Sequence, residues 1–170
     1  MTRKKWLALA LAVLLAGGGL LWHYRPVTLA AFCPGFSADR MLSVGGSYTV
    51  YPDADRAMDD SVTTRGSFTF RPGDPKMEQA AALLERAVFH RDRFFDGGTM
   101  SHTIRDGDVS LSLDLLYTPP NAENGDYTGV GLSLYQGSGQ LFLISKDRSF
   151  SCRVDGQTWD ALLGLIGAEG

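Results

Sequence analysis

Apolar and polar positions divide the chain into a short, wholly apolar opening and a long, patterned remainder. Trp6 to Trp22 (WLALALAVLLAGGGLLW) runs 17 residues without a charge, the lower limit for a helix crossing the hydrocarbon core of a bilayer. His23-Tyr24-Arg25-Pro26 ends it, because Pro26 cannot continue a helix and restrains Arg25. Residues 23–45 then form an approach segment. Ser47 to Tyr51 is β-branched and aromatic, stops at Pro52-Asp53, and predicts a strand. Ser61 to Arg71 alternates, with Val62, Thr64, Gly66, Phe68 and Phe70 on one face, and predicts a second strand with Gly66 as the position for a bulge.

The period then changes. Asp74-Pro75 supplies an N-cap followed by proline at the first helical position. Met77, Ala80, Ala81, Leu84, Ala87 and Val88 recur at i, i+3, i+4, i+7, which predicts an amphipathic helix over roughly 75–88. Val88 to Phe95 reads equally as its end or as the start of a strand. Met100 to Arg105 and Val109 to Tyr117 flank Asp106-Gly107, a tight-hairpin signal. Tyr127 to Tyr135, Gln140 to Ser145 and Ser149 to Val154 form a meander, its first turn at Gln136-Gly137-Ser138-Gly139. A last helix starts near Gln157 with Trp159, Leu162, Leu163 and Ile166 on one face. About seven strands and two helices that do not alternate with them predict an α+β fold: an N-terminal transmembrane helix (domain boundary 1–25), then an antiparallel β-sheet domain over 26–170 with one or two packed helices.

Charge sets an expected topology. Arg3, Lys4, Lys5 and Arg25 lie in the first 25 residues, which hold no acid, and three of them precede the apolar run. The positive-inside rule puts the N-terminus in the cytoplasm and everything after Trp22 outside, in the periplasm or extracellular space, with Trp6 and Trp22 as interfacial anchors of a single-pass inner (plasma) membrane protein. A cleaved signal peptide is the competing reading, with small residues at Ala16/Gly18 and Thr28/Ala30. The bulky Phe32 before Cys33 argues against a lipoprotein anchor. Gly17-Gly18-Gly19 would let another helix approach closely, or is only a flexible stretch. From Pro26 onward there are 12 basic and 19 acidic residues, a balance of −7, which lacks the electrostatic footprint for the phosphate backbones of nucleic acid or for anionic lipid headgroups. Apolar residues at 44% and aromatics at 11% suit a folded core.

Cys33 and Cys152 are the only cysteines, and both follow the apolar run. An even count in an oxidising compartment predicts a disulfide between them. Closing a loop of over a hundred residues is worth about 4–5 kcal/mol in the chain-entropy model. The alternative is two buried free thiols, since the spacing fits neither a redox pair nor a zinc site.

No reaction motif appears. His23, His90 and His102 share no ligand spacing. Asp53, Asp55, Asp59 and Asp60 place four carboxylates in eight residues, but the calcium-loop pattern fails at Ala57, so a solvated acidic loop is the simpler reading and an ion-sensing loop the alternative. There is no nucleophile elbow and no phosphate-binding glycine loop. Carboxylate pairs of the glycosidase kind have no specificity in a chain with 19 acids. Arg86 to Phe95 (RAVFHRDRFF) is either a recognition surface or an amphipathic segment with Phe89 and Phe95 in the core and Arg91 and Arg93 solvated.

A basic-flanked N-terminal span, Phe32-Cys33 soon after it, a strand-rich middle with Gly66 after Thr63-Thr64, and a late Phe150-Ser151-Cys152 give a layout that resembles the FidL-like membrane protein family. The resemblance implies a small inner-membrane protein with an exported domain and supplies no catalytic or binding residues; the helix expected at 75–88 departs from it. The sequence thus leads us to expect a non-catalytic exported domain that uses no cofactor or metal. Its expected partner is another envelope protein, as accessory or modulator of a membrane or secretion complex. The alternatives are a small-ligand or calcium sensor, or an immunity-like inhibitor of a basic exported toxin.

Overall fold

The structure, a computed structural model, describes residues 3–91, 103–123, 125–144 and 148–168. Helix α1 (Arg3–His23) leads into β1 (Val27–Thr28) and a single turn, α2 (Leu29–Phe32), capped by the Thr28 hydroxyl accepting from the Ala31 N–H. Next come β2 (Met41–Tyr51), β3 (Thr64–Phe70), α3 (Pro75–Arg86), β4 (Val88–Arg91), β5 (Asp108–Tyr117), β6 (Thr128–Tyr135), β7 (Ser138–Leu143), β8 (Ser149–Val154) and α4 (Gly156–Ile166). The eight strands form one sheet in the order β1-β4-β8-β7-β6-β5-β2-β3, and every neighbouring pair is antiparallel. The expected α+β architecture, an apolar helix followed by an antiparallel sheet with packed helices, is the one observed.

Alternation decides which face is buried. Val109, Leu111, Leu113 and Leu115 on β5 meet Val44 and Val50 of β2 on one side. On the other side they meet Val130, Leu132 and Leu134 of β6. All of these are buried on the face that receives α3 and α4. Each fully buried leucine contributes about 1.5–3 kcal/mol. Helix α3 brings Met77, Ala80, Ala81 and Leu84 to this core, and α4 brings Trp159 and Leu162. Asp74 caps α3 by accepting from the Lys76 N–H (2.8 Å), and Asp155 caps α4 by accepting from the Thr158 N–H (2.9 Å). The Lys76 ammonium reaches across to the Leu165 carbonyl at 2.9 Å and satisfies an end group of α4.

Several boundaries differ from expectation for local reasons. The first long strand begins at Met41 rather than Ser47, running straight through Gly45-Gly46. A Cβ on Gly46 would lie 2.0 Å from the Ser112 carbonyl oxygen of β5, so the residue that reads as a strand breaker is what lets the two backbones meet. The register irregularity falls between Met41 and Ser43 in the β2–β5 pair, while Gly66 sits in regular register opposite Tyr48 in the β2–β3 hairpin. The β6–β7 turn is the two-residue Gln136-Gly137, both with positive φ (48° and 74°), the geometry that suits the twist of a tight hairpin. Helix α3 ends at Arg86 and β4 starts at Val88. No strand occupies Thr103–Arg105: β5 begins after Asp106-Gly107 and pairs with β2 instead, and the Gly107 N–H donates to the Tyr51 carbonyl (2.8 Å). Met100 to His102 lie outside the described residues.

Candidate functional site

The strand directions give the sheet two unlike ends. At the first, the termini of β2, β5, β6, β7 and β8 around Met41, Tyr117, Thr128, Leu143 and Ser149 lie beside the exit of α1 and β1. Trp22, His23, Arg25, Phe32, Arg91 and Arg148 line a cleft of about 350 Å3 there. The Arg25 guanidinium lies 3.7 Å from the Trp22 ring centre, and that of Arg148 lies 4.9 Å from Phe32. Arg148 Nη1 also donates to the Phe32 carbonyl at 3.4 Å. Arg91 Nη1 stands 3.4 Å from His23 Nδ1; a guanidinium only donates, so Nδ1 is the acceptor and a neutral His23 carries its proton on Nε2. No Asp or Glu is among the described residues that line the cleft.

The opposite end is closed by hydrogen bonds. Asp108, 8% exposed, accepts from the Tyr135 hydroxyl, from the Arg105 N–H (2.7 Å) and from Gln136 Nε2 (2.7 Å). Burial alone would raise its pKa, but those three hydrogen bonds and the Arg105 charge outweigh it and hold the carboxyl below its ordinary range. Burial and the Asp108 carboxylate together push the Tyr135 phenol up. Both carboxylate oxygens accept from groups that tie the start of β5 to the β6–β7 turn, which makes this carboxylate a structural one.

Between these ends, no helix among the described residues covers the sheet face opposite α3 and α4. Register pairing sets Ser67, Ser47, Ser112, Ser133, Gln140 and Ser151 side by side across six adjacent strands. At about 4.8 Å per strand the row spans about 24 Å. Charged groups on the described strands of this face are Arg65, Asp108, Asp114 and Arg153, with Phe142 and Leu116 toward the α1 end.

The residues singled out from the sequence are dispersed. Trp6 and Trp22 are 59% and 67% exposed, near the two ends of α1. The stretch Lys5–His23 is the one described helix long and apolar enough to cross a membrane, and none of it is buried against the domain. Gly17, Gly18 and Gly19 have open space beside them. Cys33 and Cys152 are buried and not bridged to each other, so the disulfide expected between them is not formed. A cysteine count carries no information on where the two Cβ atoms point. Cys33 ends α2 against Tyr117 and Arg148, whereas Cys152 lies within β8 between Arg91 and Gly139. Burial pushes the Cys33 thiol up to about 12, against the opposing pull of the Arg148 charge and the Tyr117 hydroxyl, so it stays protonated and unreactive.

The acidic loop spends its carboxylates locally. Asp53 accepts from the Asp55 N–H, Asp59 from the Ser61 N–H and hydroxyl and from Arg56, while Asp60 pairs with Arg65 at 2.8 Å. Among the described residues no three His, Cys, Asp or Glu side chains converge on a metal-sized site. His90 faces Arg153 across β4 and β8, and His102 lies outside the described residues. Within Arg86 to Phe95, Phe89 is fully buried and Arg91 enters the cleft; Arg93 and Phe95 lie outside the described residues.

Sequence reasoning missed both the arginine cleft and the serine row. Arg25, Arg91 and Arg148 are scattered over three segments, and only the pairing of β1, β4 and β8 collects them. The Ser110/Ser112 alternation was readable, but the register that extends it over six strands was not. No protein-family model, no curated protein and no solved structure matches the chain.

Proposed function

We propose that this is a membrane-anchored, non-catalytic protein whose sheet domain lies outside the cytoplasm and binds another envelope protein through its open face. As such it would be an accessory or modulating subunit of a membrane or secretion complex. The observation that carries the reading is the uncovered face itself: five strands wide, since Ser151 on β8 is buried, rich in small hydroxyl side chains, and with four charged groups along described strands. Five strands of this length present roughly 400–500 Å2, the scale of one side of a small, transient protein interface. Interface centres are depleted in charge, as this surface is. The basic N-terminal flank and the exposed apolar helix support a single-pass anchor with its N-terminus in the cytoplasm, and the layout resemblance to FidL-like membrane proteins implies the same class.

The test is cross-linked affinity capture from intact membranes with the full chain and with Ser133→Arg, which plants a long cation at the middle of the open face. One protein captured by the natural chain and lost with Ser133→Arg, at unchanged membrane level, is the expected result. Equal capture by both chains would remove the open face from the account. Labelling a Met58→Cys chain in intact cells with a membrane-impermeant maleimide reads the topology separately, because Met58 is 93% exposed; protection of this residue would overturn the orientation.

A further inference from the structure

We propose that the α1 end of the sheet rests on the bilayer through an apolar patch, so that the membrane interface is itself a binding surface for the domain. Glycines build the patch. On the open face of β6, Gly129 and Gly131 leave space that side chains of β5 and β7 fill. Ile144 Cδ1 and Leu116 Cδ2 lie 2.6 and 3.0 Å from where a Cβ on Gly129 would stand, and the Phe142 ring covers the same point on Gly131. Leu116 pairs with Ser43 of β2, beside the register irregularity that holds Leu42, and Tyr127 leads into β6. Apolar groups thus continue over four adjacent strands, β2, β5, β6 and β7. Leu42, Tyr127 and Ile144 are exposed, while Leu116 and Phe142 are half-buried. Scattered single apolar side chains need no explanation, but a contiguous set marks a contact surface.

Position selects a bilayer as the occupant. The Leu143 N–H, next to Ile144, donates to the Arg148 carbonyl (3.0 Å), and Arg148 shares the cleft at the exit of α1 with Trp22. The patch therefore adjoins the end of the apolar span Lys5–His23, where Trp22 sits at headgroup level when the helix crosses a membrane. Tyr127 has the apolar ring and polar tip favoured at the same depth. Charge limits how far the patch enters. Asp126 precedes Tyr127, and the exposed Asp114 stands opposite Gly131, so the contact stops at the interface. With a balance of −7 in the domain, apolar burial rather than headgroup charge carries it. The inference rests on the anchoring half of the proposed function and does not use the serine row.

The test reconstitutes the full chain in neutral phosphatidylcholine bilayers, with a bimane label on Leu42→Cys, Met58→Cys or Leu14→Cys and nitroxide-bearing phosphatidylcholine as quencher. Cys33 and Cys152 are buried and stay unlabelled. The Leu14 label, in the middle of α1, reports anchoring; the Met58 label, on an exposed loop, reports water. A nitroxide just below the headgroup should remove about half of the Leu42 emission or more and leave Met58 bright, as an interfacial depth requires. Ile144→Asp should restore most of the Leu42 emission and Ile144→Ser part of it, each at an unchanged urea midpoint. A Leu42 label as bright as Met58 while Leu14 is quenched overturns the patch and leaves the anchor standing. All three labels bright overturns both. Quenching at Leu42 that ignores Ile144→Asp comes from closeness to α1 alone and also overturns the patch. A bright Leu42 label together with loss of protein capture in Ile144→Asp would give these side chains to a protein partner and refute the bilayer contact.

Discussion

Removing the Asp108 carboxylate should destabilise the domain more than any other single polar change at the far end of the sheet. In Asp108→Ala, the Tyr135 hydroxyl, the Arg105 N–H and the Gln136 amide lose a shared, nearly buried acceptor. Hydrogen bonds to a charged group contribute about 1.5–3 kcal/mol each, and the three are not additive because Arg105 and Gln136 can turn partly to water. A loss of about 3–5 kcal/mol is the expected sum, a third or more of the stability of an ordinary domain of about 5–15 kcal/mol. Tyr135→Phe, which removes one donor, should cost about 1–2 kcal/mol, and the double variant should fall short of the two single costs combined by at least about 1 kcal/mol. The assay is urea unfolding of the full chain in neutral detergent, read by Trp159, whose ring lies beside Gly137 of the same hairpin, in a Trp6→Phe, Trp22→Phe background.

The pH dependence supplies a second reading of the same carboxylate. The folded state holds Asp108 below its ordinary value of 3.8. Its contribution is therefore complete above that value and disappears as pH falls through the lower folded value. Asp108→Ala should flatten the acid limb of stability below about pH 4, leaving the part owed to Asp59 and Asp155, whose hydrogen bonds also hold them low. A cost under about 1 kcal/mol, strict additivity with Tyr135→Phe, or an unchanged acid limb would refute the reasoning.

Two further outcomes follow from packing. At pH 8 neither Cys33 nor Cys152 should react with a thiol reagent in the folded chain, and two thiols should appear on unfolding without reductant; fewer than two would mean a bond absent from this structure. The neutral Cys33 thiol stabilises the fold fully below its ordinary value of 9.0, and that stability should drain away as pH rises from there toward 12. Gly46→Ala should cost several kcal/mol or prevent folding, because its Cβ meets the Ser112 carbonyl oxygen at 2.0 Å, whereas Gly18→Ala, with open space beside it, should leave the urea midpoint unchanged.

What could be read from the chain was whatever a local period encodes. The apolar run became α1, the i, i+3, i+4, i+7 pattern after Asp74-Pro75 became α3, and the Val109-to-Leu115 alternation became the central strand β5. Glycine misled where it serves tertiary contact. Gly45-Gly46 looked like the end of an approach segment, and Gly139 like part of a turn; both are strand positions where a neighbouring backbone takes the place of a side chain. Asp106-Gly107 carried the correct chemistry for a turn and the wrong partner, since β5 pairs with a strand laid down over fifty residues earlier. Register has no local signature at all, and it alone builds the serine row.

The division of the sheet into unlike ends ties these features together. Where β2, β5 and β6 meet at Tyr51, Asp108 and Tyr135, polar side chains are mutually satisfied, and a turn of two positive-φ residues seals the hairpin. Where the same strands end near α1, the exposed groups are Leu42, Tyr127 and Ile144, with arginines between α1 and β8. A domain free in water gains nothing from placing its exposed large apolar side chains, Met58 apart, at one end and tying off the other with hydrogen bonds. A domain held against a bilayer gains from both, because apolar contact and charge attraction at the near end add to the tether while the far end needs only water and its own hydrogen bonds. On the proposed reading, a partner seated on the same membrane would reach the open serine face. If Leu42→Ser and Ile144→Ser left the depth of a spin label at Tyr127 in phosphatidylglycerol bilayers unchanged, this asymmetry would have no membrane meaning; a label that moves out toward water is the outcome the geometry requires.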